Sequence, residues 1–269
     1  MKARRKELTQ FFLIAFAGMW LLNLPRVLAA FGWFEIPPLV STILGYVALF
    51  SPGVAAFILT RIKSGKEGVK TLWKSGWQIE FNKKWLLPAI LLVPISGLLT
   101  WLLLTLLDKP IEWQYGAPLA MLAPIGILIW LLNAYPEEYG WRGYALPRLL
   151  KDFRPLTASL ILGAIWGLWH LPLHFIPGTT QYVIPVWQFF LQTIVLSILY
   201  TWLHKGTRGS VFIAVLFHTF GNIAGAAIPY WTTSWGRWIS FGILLIISVV
   251  VVLVSKQFHP KEQTTGSVE

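Results

Sequence analysis

The fold class that this sequence predicts is an all-α polytopic membrane protein, and three observations predict it. Hydrophobic residues make up 56% of the 269 and charged residues only 12%, about half of the roughly 25% usual in soluble domains. The mean hydropathy is +0.63. The apolar residues fall in runs of about 20, the length that crosses about 30 Å of hydrocarbon.

Taken in order, the runs predict eight spans, at about 9–31, 37–60, 85–107, 118–138, 156–176, 186–203, 210–228 and 237–255. The first follows Lys2, Arg4, Arg5 and Lys6, as in a signal peptide. No small-x-small cleavage site follows it, so an uncleaved span is expected. Arg61 to Lys84 reads as a long basic loop between spans two and three, and Asp108 to Gly116 as a short polar one. Lys151 to Pro155 is a tight basic turn, Pro177-Gly-Thr-Thr an uncharged one, and His204 to Arg208 basic again. The chain reads as one integral membrane domain over 1–269, with a polar, disordered tail at 257–269.

Charge sets the expected orientation. Of 22 Lys and Arg, all but Arg26, Lys109 and Arg237 fall on one side of an eight-span arrangement. Cytoplasmic loops carry such an excess, so both termini are expected in the cytoplasm. The net charge of +11 then reads as topology signal and contact with anionic membrane lipids, not as a nucleic-acid surface.

Composition also excludes chemistries. There are no cysteines, hence no disulfide, thiolate metal site or cysteine nucleophile. No phosphate-binding glycine loop, Gly-x-Ser-x-Gly motif or pair of aspartates in adjacent spans occurs, and no lysine stands in the middle of a late span.

What remains is polar and deep. Glu137-Glu138-x-x-x-Arg142 closes the apolar run from Leu119; Trp166-Gly-Leu-Trp-His170 and His218-Thr-Phe-Gly-Asn222 lie inside later spans. A charge at membrane depth costs roughly 2.5–3.5 kcal/mol on insertion scales and is kept only against protein, water or a partner. Spans four and five form a hairpin turning near Arg154, with Glu138 sixteen residues before and His170 sixteen after. At 1.5 Å per residue both lie roughly 20 Å from the turn, and His218 and Asn222 about 15 and 20 Å from the same side. All five polar residues can share one level.

A Glu/Glu/His/His/Asn cluster suits water activation. Arg142 is placed to pair with Glu138 at i, i+4, which leaves Glu137 as the general base. His170 can share the water or protonate the leaving amine, and His218 and Asn222 can donate to an oxyanion. The plainer readings are a structural ion pair, a packed histidine and interhelical hydrogen bonds. His174, four residues after His170, permits zinc held by His170, His174 and His218, although Pro172 disturbs the helical spacing. No cofactor is expected. Trp166, Trp169, Trp187 and Trp202 read as packing or interface anchors. Gly140, Gly143, Gly163, Gly167 and Gly221 allow close helix approach.

These three motifs, spanning about 119–228, resemble those of the CAAX protease and bacteriocin-processing (Abi) family: Glu-Glu-x-x-x-Arg, Phe-x-x-x-His with Trp166 in the Phe position, and His-x-x-x-Asn. The resemblance implies eight helices around a cytosol-facing cavity and intramembrane peptide-bond hydrolysis of membrane-anchored, CAAX-like substrates. It implies a metal-free mechanism in which Glu137 and His170 activate water, with His218 and Asn222 forming the oxyanion site. Trp166 preserves the aromatic wall in that reading. A compact chain with short loops points to a bacterial plasma membrane. Two other classes stay open: a scaffold or immunity protein that binds without hydrolysis, and a transporter using the glutamates as a proton relay.

Overall fold

The computed structural model describes residues 2–111 and 124–259. The start of the expected fourth span and most of the polar tail therefore lie outside the described residues. Nine principal helices are described: α1 (Lys2–Ala30), α2 (Pro38–Leu49), α3 (Ser51–Ser75), α4 (Leu86–Leu106), α5 (Pro124–Glu138), α6 (Pro155–Trp169), α7 (Val186–Gly206), α8 (Val211–Ala227) and α9 (Ser234–Val254). There is no strand among the described residues. The chain is an all-α integral membrane protein. Backbone polar groups that face lipid must be satisfied within their own segment, and helices do this.

Among the described residues, five helical stretches are long and apolar enough to cross a membrane, and six if the bent pair α2–α3 is one span; the count of eight is not confirmed. α8 is apolar but has 17 residues, and the described part of α5 has 15. Many α8 side chains are buried in protein.

The expected basic loop after span two is also corrected. Helix continues to Ser75, with one break at Gly65, where φ is +65°. Glycine takes that left-handed conformation without a Cβ clash. The resulting arm carries Lys66, Lys70 and Lys74 on its exposed surface. Charge alone read this segment as loop, whereas Val69, Leu72 and Trp73 supply the apolar positions that a surface helix needs.

The helix bearing the glutamates is clamped from two sides. Phe11 of α1, fully buried, stacks on Tyr144 and meets Trp141 edge-on. Arg4 pairs with Asp152, and Glu7 with Arg148 at 3.2 Å. On the other side the arm of α3 accepts two phenol hydrogen bonds, Tyr135 to the Gly76 carbonyl (2.9 Å) and Tyr139 to that of Trp73 (3.0 Å). Close approach at glycine occurs where the chain from Pro136 to Gly140 crosses α3, whereas a Cβ on Gly221 would meet Val93 only at an ordinary 3.8 Å, against expectation. A Cβ on Gly140 would lie 2.7 Å from the Pro52 carbonyl oxygen, and one on Gly53 2.8 Å from that of Pro136. Likewise a Cβ on Gly163 of α6 would lie 2.6 Å from the Ile194 Cα of α7.

Overpacking a close crossing costs about 1–3 kcal/mol. Gly140→Ala is therefore expected to lower the thermal unfolding midpoint in detergent, whereas Gly242→Ala, with nothing within 4 Å of a Cβ, leaves it unchanged. Equal midpoints for the two variants would contradict the tight crossing.

Candidate active site

Helical geometry changes just after the paired glutamates. α5 ends at Glu138, and Tyr139–Ala145 is a π-helix followed by one short turn, Leu146–Leu149. Such widened turns recur at functional sites. Here the π segment carries Arg142, whose side chain is fully buried.

Arg142 pairs with Glu138. Its Nη1 donates to both carboxylate oxygens of Glu138, at 2.9 and 3.0 Å. His218 Nδ1 lies 2.8 Å from Glu138 Oε1. A carboxylate only accepts, so Nδ1 donates. Glu138 is thus fully buried between a guanidinium and an imidazole. The guanidinium in turn lies 3.5 Å from the centre of the Tyr200 ring and 4.7 Å from that of Trp166. A cation held over aromatic faces away from water gains roughly 2 kcal/mol.

Glu137 has different company. It is 5% exposed, lies on a cavity wall, and accepts one hydrogen bond, from Trp166 Nε1 at 3.0 Å. One carboxylate is enclosed by cationic and imidazole donors, and its neighbour opens onto space.

His170 terminates α6 at the point where Pro172 ends the α-helical register. A proline there lacks the N–H for the next bond and crowds the carbonyl four residues back, and the chain tightens into a 3₁₀ turn, Leu171–Phe175. His170 Nδ1 lies 2.8 Å from the Trp166 carbonyl oxygen. The carbonyl only accepts, so Nδ1 carries the proton and Nε2 has a free lone pair in the neutral ring. Rings of Trp169 (4.7 Å) and Phe189 (5.1 Å) hold the imidazole edge-on.

The cavity between these groups has a volume of about 620 Å³. Glu137, His170, His218 and Asn222 all line it, with Trp166 between the first three. Asn222 is half-buried and lies one turn along α8 from His218, on the same face. Glu138 and Arg142 stand behind this wall. His174 is not on it. Its Nδ1 bonds the Ile184 carbonyl at 3.0 Å and its ring packs on Phe189. No cluster of three His, Asp or Glu side chains suited to a metal ion occurs among the described residues, so His170, His174 and His218 do not form the grouping that zinc would need.

Two roles were not legible beforehand. Trp166 is more than an aromatic wall, because its indole N–H holds Glu137 and its carbonyl holds His170. The signal was present, since tryptophan in place of phenylalanine brings an N–H donor. Tyr200, in α7, supports Arg142. Nothing in its surrounding apolar run distinguishes it from an interface aromatic.

Residues 119–224 match the family model described as Type II CAAX prenyl endopeptidase Rce1-like. The chain is also similar to CAAX prenyl protease 2 of Methanococcus maripaludis, with 30% identity over 228 residues, covering 79% of this chain and 83% of that protein.

Removing one member of a buried ion pair costs about 3–5 kcal/mol. Arg142→Ala is expected to lower the unfolding midpoint by at least about 6 °C. Arg142→Lys should recover only part, because an ammonium lacks the planar face that lies on Tyr200. A midpoint unchanged in Arg142→Ala would show that the pair contributes nothing to stability.

Proposed function

The chain belongs to the Type II CAAX prenyl endopeptidase Rce1-like family, and we propose that it hydrolyses peptide bonds within the membrane through water activated by Glu137 and His170. The observation that carries this reading is the unequal setting of the two glutamates. Glu138 is enclosed by Arg142 and His218, while Glu137 reaches the cavity with a single indole donor.

In this mechanism Glu137 takes a proton from water, and the free Nε2 of His170 accepts the second hydrogen bond that orients it. The hydroxide attacks the scissile carbonyl carbon. The resulting oxyanion receives hydrogen bonds from the Asn222 amide and from His218 Nε2, which donates when the ring is an imidazolium. The C–N bond then breaks, the Glu137 proton passes to the departing nitrogen, and the new carboxylic acid gives its own proton to that amine, leaving a carboxylate and an ammonium. Glu138 and Arg142 do not touch the substrate. They position His218 by fixing its Nδ1.

The substrate class follows the family: a membrane-anchored protein or peptide ending in a CAAX-like sequence, prenylated at its cysteine. The bulky apolar group would lie in lipid and the peptide in the cavity. The basic ends of the helices would face the cytoplasm, where loops rich in Lys and Arg are retained.

The test is cleavage in liposomes of prenylated CAAX peptides and unmodified membrane peptides, followed by mass spectrometry. General acid–base groups contribute typically 10²–10⁴-fold, so Glu137→Gln should lose at least about 100-fold in kcat with the unfolding midpoint retained. Trp166→Phe should fall between this variant and wild type. Cleavage undiminished in Glu137→Gln would remove that residue from the reaction. Inactivity of folded wild type on every peptide would favour a non-catalytic scaffold.

A further inference from the structure

Arg237 is one of three cations that run against the charge asymmetry of the chain, and it is turned toward the cavity. It stands in the first turn of α9 and lines the same cavity as Glu137 and His170. Its Nε donates to Gln188 Oε1 at 2.8 Å and its Nη1 to the Trp231 carbonyl at 2.9 Å. Both acceptors are neutral, and Arg237 pairs with no carboxylate among the described residues.

Gln188 adds a second, independent observation. It is 4% exposed, it lines the cavity, and its side-chain nitrogen is buried without a hydrogen-bond partner. A guanidinium only donates, so the amide oxygen must face Arg237 and the NH₂ is left for another acceptor. Buried polar groups in native structures are nearly always satisfied. An uncompensated cation beside an unused amide donor is the complement of a carboxylate.

Position suggests which carboxylate. Phe189, the residue after Gln188, sets its ring 5.1 Å from that of His170. Tyr200, beside His218 at 6.4 Å, is twelve residues beyond Gln188 along α7, or about 18 Å. His170 therefore stands beside the Gln188–Arg237 end and His218 toward Tyr200, so a substrate carbonyl held between the two imidazoles would have the residues after it next to that pair.

We propose that Arg237 and Gln188 receive the free C-terminal carboxylate of the substrate, so that the cut falls at a set short distance from the chain terminus. This rests on the reading of the protein as a protease of CAAX-like termini. It assigns substrate length selection to a pair on α9 and α7, outside the three motifs.

The experiment compares binding of one prenylated CAAX peptide, as free acid and as C-terminal amide, to liposome-reconstituted Glu137→Gln protein. The acid is expected to bind at least about 10-fold more tightly, the range of a hydrogen bond to a charged group. Adding Arg237→Gln should bring the acid down to the amide, and Arg237→Lys should restore part of the difference. The acid–amide comparison itself needs no change at Arg237, so misfolding of that variant cannot mimic it. Equal binding of acid and amide, as would follow if Arg237 held a lipid phosphate or merely tied α9 to α7, overturns the proposal. An acid preference erased in Arg237→Gln, with no cleavage by wild type, would keep the carboxylate site and remove the protease reading. Cleavage by wild type indifferent to the acid–amide change would do the reverse.

Discussion

The buried charge of Glu138 is the constraint on which the rest of the site depends. A carboxylate withdrawn from water must be paired and hydrogen-bonded, and Glu138 is met by Arg142 from its own chain segment and by His218 from α8. Arg142 is itself fully buried and lies over the rings of Tyr200 and Trp166. Four elements are thereby joined through one charge: the α5 end with its π-helical continuation, α6, α7 and α8. The clamp of α1 and the α3 arm keeps the π-helical segment closed against this network. Moving α8 or the π-helical segment would take a hydrogen-bond partner from Glu138, and moving α6 or α7 would take an aromatic face from Arg142.

This paired network behind the wall leaves the front free for chemistry. Glu137 and Glu138 are adjacent in the chain, yet successive residues on a helix point about 100° apart, and so the two carboxylates reach different surroundings. The first faces the cavity and the second faces cations. Trp166 bridges this division, with its indole on Glu137, its carbonyl on His170 and its ring beneath Arg142. In the proposed mechanism the same residue orients both groups that handle the water, Glu137 through its indole and His170 through its backbone carbonyl. The cavity wall also carries Gln188 and Arg237, the pair proposed to hold the substrate terminus.

What could be read from the amino-acid order alone was whatever depends on local spacing and on the bilayer. Runs of apolar residues announced a helical membrane protein, Glu138 and Arg142 at i, i+4 announced their pair, and Pro172 announced a disturbed helix after His170, though the span expected over 156–176 in fact ends as α-helix at Trp169. Counting rises from the basic turns put the three polar clusters at one depth. The same reasoning failed where packing decides: it read the lysine-rich arm of α3 as loop, because charge outweighed its apolar stripe.

Only the tertiary structure decided how the helices are rotated about their axes and which distant residues meet. His218 reaches Glu138 across 80 positions of sequence, Tyr200 comes to lie on Arg142, and Arg237 turns into the cavity instead of outward to the headgroups. Spacing along a helix sets depth and relative face, because rise and twist per residue are constant. It does not say which face meets which neighbour, since that rotation is chosen by the sum of many close contacts, such as Gly140 against Pro52 and Gly163 against Ile194. The kinds of residue available for chemistry were therefore written in the sequence, and their assignment to partners was made by the packing.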